Sequence, residues 1–250
     1  MMAAGLRGRV AVVTGAGRCR GIGAAICKAL AEEGADVFFT YWKEDDEPEG
    51  LLEELRRVGV RAETMEVDLS LLKSPERPLD MVAARLGPPW VLVNNAAYST
   101  RDGYEALDAA TLDAHYAVNL RATALLSVEF ARRFGGGSGG RIVNLTSGQS
   151  LGPMPGELAY AATKGAIEAF TRTLATEVGQ KGITVNAVNP GPTDTGWMAG
   201  ELRRELSGRF PAGRVGEPED AARLVTFLAS EEAAWITGQI IHSEGGFRRS

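Results

Sequence analysis

Short apolar runs alternate along the chain with longer stretches in which apolar residues recur every three or four positions. The runs RVAVVTG, DVFFTYW, RAETMEVDL, PPWVLVNNAA, RIVNLT, ITVNAVNPG and GQIIHSEGG are short and predict seven strands, of which RVAVVTG and RIVNLT read as buried. Between them, Ile22, Ile26 and Leu30 mark the apolar stripe of a first helix, and EGLLEELRRVG predicts a second that Gly59 ends. A proline-interrupted helix follows over Pro75 to Leu86, a long one over Thr111 to Phe134, and another from Ala159 to near Gln180. Strands separated by helices call for parallel pairing and right-handed crossovers. The prediction is an α/β fold: a single doubly wound parallel sheet of about seven strands, helices on both faces, with the whole chain as one domain.

In such a sheet, ligands sit beyond the carboxyl ends of the strands. Gly15, Asp68, Asn95, Ser147 and Pro190 each follow a predicted strand, so they can line one crevice. The stretch TGAGRCRGIG puts Gly15, Gly17, Gly21 and Gly23 between a strand and a helix. There the backbone can approach a diphosphate closely, with the free N–H groups and positive end of the helix facing it. A steric need for glycine in a tight turn is the plain alternative, which the flanking strand and helix disfavour. Further on, Tyr160 and Lys164 are four residues apart and share a helix face, with Ser147 delivered by the preceding strand. A phenol near a fixed cation is expected to ionise more easily than its usual value of about 10. Ser147 adds a neutral hydroxyl for the same reacting oxygen.

Bulk properties narrow the classes. At 250 residues, the chain can bury one substantial core. A net charge of −5 argues against a nucleic-acid partner, which needs a concentrated basic surface. No apolar run approaches the roughly 20 residues of a membrane span, and MMAAGLRGRV lacks a secretory apolar block, so a cytoplasmic protein is expected. Cys19 and Cys27 suggest neither a disulfide framework nor a metal cluster, and His115 and His242 lack partners at ligand spacing. GGSGG, from Gly136 to Gly140, spells a hydrolase-like G-x-S-x-G but precedes a strand instead of following one, so Ser138 reads as linker.

These residues together resemble the short-chain dehydrogenase/reductase family. The likeness runs over almost the whole chain: TGAGRCRGIG, VDLS, NNAA, HYAVNL, RIVNLTS with YAATK thirteen residues after the serine, NAVNPGPTDT, and GEPEDAARLVTFLASEEAAWITGQIIHSEGG. The last two segments look most like bacterial 3-oxoacyl-carrier-protein reductases. The resemblance implies a Rossmann domain, commonly a homotetramer or homodimer, that moves a hydride between a nicotinamide dinucleotide and a carbonyl or alcohol. It implies a catalytic set of Asn119, Ser147, Tyr160 and Lys164. Tyr160 would donate the proton, Ser147 hold the substrate oxygen, Lys164 bond the nicotinamide ribose, and Asn119 place a water in the proton relay. It would set Gly15, Ala16, Gly17, Gly21, Ile22 and Gly23 around the diphosphate, Asp68 and Leu69 at the adenine, and Asn95 and Ala96 at its ribose. Pro190, Gly191, Thr193 and Thr195 would meet the nicotinamide end.

The chain departs from the family pattern in three places. Five residues, where three are usual, separate Gly15 from Gly21; NNAA stands for NNAG; and Glu244 replaces an aspartate. At the end of the second strand Tyr41, Trp42 and Lys43 follow Thr40 without an acid before Glu44, and Arg18 and Arg20 lie in the neighbouring loop. Basic groups there suit the 2'-phosphate of NADP(H), the favoured cofactor, while Glu44, Asp45 and Asp46 keep NAD(H) in view. The segment Thr195 to Arg214 is expected to form a lid over a small carbonyl substrate. Trp197 and Met198 suggest an apolar wall, and Arg203, Arg204 and Arg209 suggest a face for an acidic carrier protein or, more simply, a solvated helix surface. Oxidation of an alcohol, sugar or steroid with NAD, and a dinucleotide-binding regulator without turnover, are the competing readings.

Overall fold

The computed structural model describes residues 5–42, 48–71, 73, 76–135 and 139–249. Seven strands form one sheet in the order β3-β2-β1-β4-β5-β6-β7. They are β1 (Val10–Val13), β2 (Asp36–Tyr41), β3 (Ala62–Glu66), β4 (Val91–Asn94), β5 (Gly140–Leu145), β6 (Ile183–Asn189) and β7 (Ile240–His242). Every neighbouring pair is parallel. Helices cover both faces, which is why the central strands are apolar at successive positions instead of alternating. Ala11, Val13, Val37, Phe39 and Val93 point into one core with α1 (Ile22–Glu32), α2 (Pro48–Val58) and α8 (Pro218–Ala229). Val12, Phe38, Leu92, Ile142 and Val185 point into the other, with α3 (Arg77–Arg85), α5 (Thr123–Arg133) and α6 (Leu158–Val178).

The expected long helix over Thr111 to Phe134 is not one α-helix. It divides into α4 (Ala109–His115), a π-helical stretch Tyr116–Ala122, and α5. The extra residue in the turn lets Asn119 point inward, fully buried, where its side chain bonds protein groups on two other segments. The proline-interrupted helix begins at Arg77, and Pro75 lies outside the described residues. So do Gly136, Gly137 and Ser138 of the GGGSGG connector, whose last glycine, Gly140, opens β5. Helix α8, for which the apolar pattern gave no separate helix, starts with Pro218, and the Asp220 carboxylate accepts from the Glu217 N–H at 2.9 Å. Residues 195–214 hold the short helix α7 (Gly200–Ser207) and contribute Met198 and Phe210 to a small separate core with Val215.

Candidate active site

Strand order reverses at β1, whose neighbours β2 and β4 lead off in opposite directions, so a crevice opens beyond the carboxyl ends of β1 and β4. Asn95 spans it. Its side-chain amide donates to the carbonyls of Thr14 at 2.9 Å and Gly15 at 2.8 Å, while Thr14 Oγ1 accepts from the N–H groups of Asn95 and Ala96, both at 3.1 Å. The Asn95 side chain thus braces the glycine loop while lining the cleft. Gly15 sits at φ +69°, and a Cβ on it would lie 2.7 Å from the Ala96 Cα. A Cβ on Gly23 would lie 2.6 Å from both the Gly15 carbonyl oxygen and the Asn95 Nδ2. Gly23→Ala must therefore push α1 away from the loop. At roughly 1–3 kcal/mol for such overpacking, dinucleotide affinity is expected to fall about 10- to 100-fold, read by fluorescence titration.

The cleft holds about 630 Å³, within the range of small-molecule sites. Gly15, Gly17, Arg18, Gly21, Ile22 and Gly23 form one wall. Thr40, Tyr41 and Trp42 close the β2 end, Asp68 and Leu69 the β3 end, and Asn95 and Ala96 the β4 end, with Thr195 reaching in from the far side. Gly21, the residue before α1, makes no side-chain cap, so the first-turn N–H groups are left to an anion. These donors, set in a glycine wall, fit a dinucleotide diphosphate. Two expected contacts differ. Ala16 is turned inward, 1% exposed, its N–H donating to the Thr40 carbonyl at 2.8 Å, and Arg20 is exposed without entering the wall. The inserted residues place Arg18 in the wall instead. Lys43, with Glu44, Asp45 and Asp46, lies outside the described residues.

Ser147 follows β5, and α6 carries Tyr160 and Lys164 beneath it. The Ser147 hydroxyl faces the Tyr160 hydroxyl, near enough to favour its ionised form. Lys164 is buried; its Nζ lies 5.5 Å from the Tyr160 ring centroid and donates to the Leu145 carbonyl at 2.7 Å. The expected acidification of the phenol is reversed. Burial pushes Tyr160 up to about 12 against the lowering effect of the Ser147 hydroxyl, and the nearby Glu157 charge adds to the rise. Burial also brings Lys164 down to about 8. The chain by itself therefore keeps the phenol protonated at neutral pH.

Asn119 meets this group indirectly. Its Oδ1 accepts from the Tyr98 N–H at 2.6 Å, and its Nδ2 donates to the Tyr98 carbonyl at 2.9 Å and to Thr163 Oγ1 at 3.1 Å. The side chain clamps Tyr98, itself part of the cleft wall, to the residue preceding Lys164. Across from Ser147, Pro190, Gly191 and Thr193 follow β6. They lie apart from the dinucleotide wall, and Thr193 Oγ1 bonds the Pro190 and Gly191 carbonyls, each at 3.2 Å.

Two carboxylates escaped the sequence reading. Asp102 accepts from the N–H groups of Leu158 at 2.7 Å and Ala159 at 2.9 Å, capping α6. The Ala159 bond leads in holding its carboxyl below the usual range. Glu168, 5% exposed and two turns beyond Tyr160, takes three donors on one oxygen: Gln149 Nε2 at 2.5 Å, Ser150 Oγ at 3.0 Å and Thr146 Oγ1 at 3.4 Å. These donors flank Ser147 on both sides. The spacing 160, 164, 168 could have revealed Glu168, whereas Asp102 lies 56 residues from its partner and carries no local signal.

Residues 15–248 match the family model described as enoyl-(acyl carrier protein) reductase. The chain is 57% identical over 244 residues to the uncharacterized oxidoreductase YjdA of Bacillus subtilis, covering 96% of this chain and 97% of that one. It is 40% identical over 253 residues to the 3-oxoacyl-[acyl-carrier-protein] reductase FabG of Pseudomonas aeruginosa, covering 98% and 99%. The solved structure of the landomycin C-6 ketoreductase LanV with bound NADP and rabelomycin matches with a TM-score of 0.87 at 34% identity over 96% of each chain. Sheet, crevice and relatives together define an oxidoreductase on a Rossmann fold. The chain belongs to the short-chain dehydrogenase/reductase family. No helix among the described residues is long and apolar enough to cross a membrane.

Proposed function

We propose that this enzyme is an NADP(H)-dependent reductase that converts a small ketone, of 3-oxoacyl type or a related carbonyl, to a secondary alcohol. The observation that carries the reading is the phenol of Tyr160, protonated at neutral pH, facing the Ser147 hydroxyl and one turn from the buried Lys164. A nicotinamide dinucleotide, when bound, supplies the hydride. The substrate oxygen lies between the Ser147 and Tyr160 hydroxyls. Ser147 donates a hydrogen bond to it, stabilising the charge that builds there, and Tyr160 transfers its proton from Oη. Lys164, held by the Leu145 carbonyl, keeps a positive charge near the resulting phenolate. A protonated resting phenol suits reduction better than oxidation, which needs a base.

Preference for NADP(H) is supported by Arg18 in the cleft wall beside Thr40, Tyr41 and Trp42, with no carboxylate among the described wall residues at that end. The NADP seen in LanV points the same way. Residues 195–214 act as a substrate lid on a single catalytic domain. Leu112, Tyr116, Leu125 and Leu158 are exposed along the central helices and support a homodimer or homotetramer formed through them. The test is NADPH oxidation against NADH oxidation with a panel of ketones. NADPH is expected to win, and Arg18→Ala to raise its KM about tenfold, in line with loss of a charge-assisted phosphate contact, with little change for NADH. Equal use of both dinucleotides would sink the cofactor assignment.

A further inference from the structure

The segment after β7 folds back over the catalytic loop. Phe247 packs on Phe210, ring centroids 5.0 Å apart, and joins the small core of Met198, Phe210 and Val215. Beyond it, Arg249 lies against Gly148 and Gly152, the two glycines that follow Ser147. A Cβ on Gly148 would overlap Arg249 Nη2, and one on Gly152 would lie 2.8 Å from its Cδ. The guanidinium rests on bare backbone that any larger side chain would cover.

Arg249 is also tied to the other wall of the site. It donates from Nη1 and Nη2 to the two carboxylate oxygens of Glu244, at 2.9 and 2.6 Å, with side chains 23% and 10% exposed. Glu244 Oε2 further accepts from Asn189 Nδ2 at 2.9 Å, and Asn189 Oδ1 accepts from the Gly191 N–H at 2.9 Å. Burial alone would raise the Glu244 carboxyl; the Arg249 and Asn189 bonds, with the Arg249 and His242 charges, outweigh it and keep the group ionised. Contacts thus run unbroken from Gly191 through Asn189, Glu244 and Arg249 to Gly148. The pair offers no spare charge to an anionic substrate, because the carboxylate neutralises the guanidinium in a two-pronged bond.

We infer that Arg249 and Glu244 are positioning residues, a strap that sets the gap between the Ser147 loop and the Pro190–Gly191 segment. This rests on the proposed function, in which Ser147 holds the substrate oxygen, and on the nicotinamide contact that the family resemblance implies for Pro190 and Gly191. A bidentate pair fixes both distance and angle, which a lysine at 249 cannot do. Small misplacements of a reacting group cost up to about 100-fold in rate, so loosening one side of the gap is expected to cost about tenfold.

The test compares Arg249→Ala, Arg249→Lys, Glu244→Gln and the double variant Glu244→Gln/Arg249→Ala with the unmodified chain. NADPH and ethyl acetoacetate serve as probes for kinetics, and hydrogen exchange is followed over residues 146–152. Arg249→Ala and Glu244→Gln should each lower kcat about tenfold and speed exchange of that loop, with KM for NADPH within about twofold. The lysine variant should behave like the alanine variant, and the double variant should be no slower than either single, since the two act as one unit. Unchanged kcat or unchanged loop exchange in Arg249→Ala overturns the strap, as does a double variant whose losses multiply. An unmodified chain whose NADPH oxidation no ketone of the panel accelerates overturns the functional reading instead. The exchange comparison still decides whether the strap holds the loop.

Discussion

Tyr160→Phe is expected to cut ketone reduction by about a thousandfold or more while leaving fold and dinucleotide binding in place. The substitution removes one oxygen. It takes away the proton that must reach the substrate oxygen, and general acids of this kind contribute roughly 10²- to 10⁴-fold. It also leaves Ser147 as the one hydroxyl of the pair still facing the substrate oxygen. The ring stays, with Lys164 still tied to the Leu145 carbonyl, so little packing is lost. Single-turnover oxidation of NADPH separates the chemical step from binding. A variant that retains a tenth of the original rate would remove Tyr160 from the proposed role.

Lys164 carries the second large effect, and its sign can be worked out with pH. Its folded value is about 8 and its ordinary value 10.5, because burial penalises the cation. Between those two values the unfolded chain holds one more proton than the folded one, so stability rises with pH across that window. The gain approaches roughly 3 kcal/mol, at about 1.4 kcal/mol for each pH unit between the two values. Tyr160 runs the other way: with about 12 folded against 10 unfolded, stability falls as pH climbs from 10 to 12. Catalysis follows the ammonium, so reduction should fade above about pH 8 as the charge that supports the phenolate is lost. Lys164→Met should lower kcat about a hundredfold at pH 7 and flatten the rise in stability between pH 8 and pH 10. Urea unfolding and kcat profiles over that range check both. A variant that keeps the alkaline rise in stability would assign it to another group.

Much of this arrangement was legible in the residues because it depends on local spacing. The two-sided sheet follows from apolar runs such as VAVV and VLVN, and the anion-facing turn from Gly15, Gly21 and Gly23 set between a strand and a helix. Tyr160 and Lys164 share a face by period alone. What could not be read depends on distant chain meeting in space. Asn95 braces Thr14, about eighty residues earlier, and Asn119 draws on Tyr98 and Thr163, which takes a π-helical turn that no apolar period announces. Nor could spacing give the direction of the Tyr160 shift. Proximity of a cation argues one way and enclosure the other, and only the packed site shows that enclosure wins.

Helix α6 supports the phenol and the ammonium directly and, through Glu168, the loop that presents Ser147. The three groups therefore ride on a single chassis. A bend or slide of that helix carries them in common mode, and their mutual distances survive displacements that would spoil a site assembled from independent supports. Tolerance to change should accordingly be uneven: generous where a substitution shifts the helix as a body, and poor where it uncouples Glu168 from the serine loop.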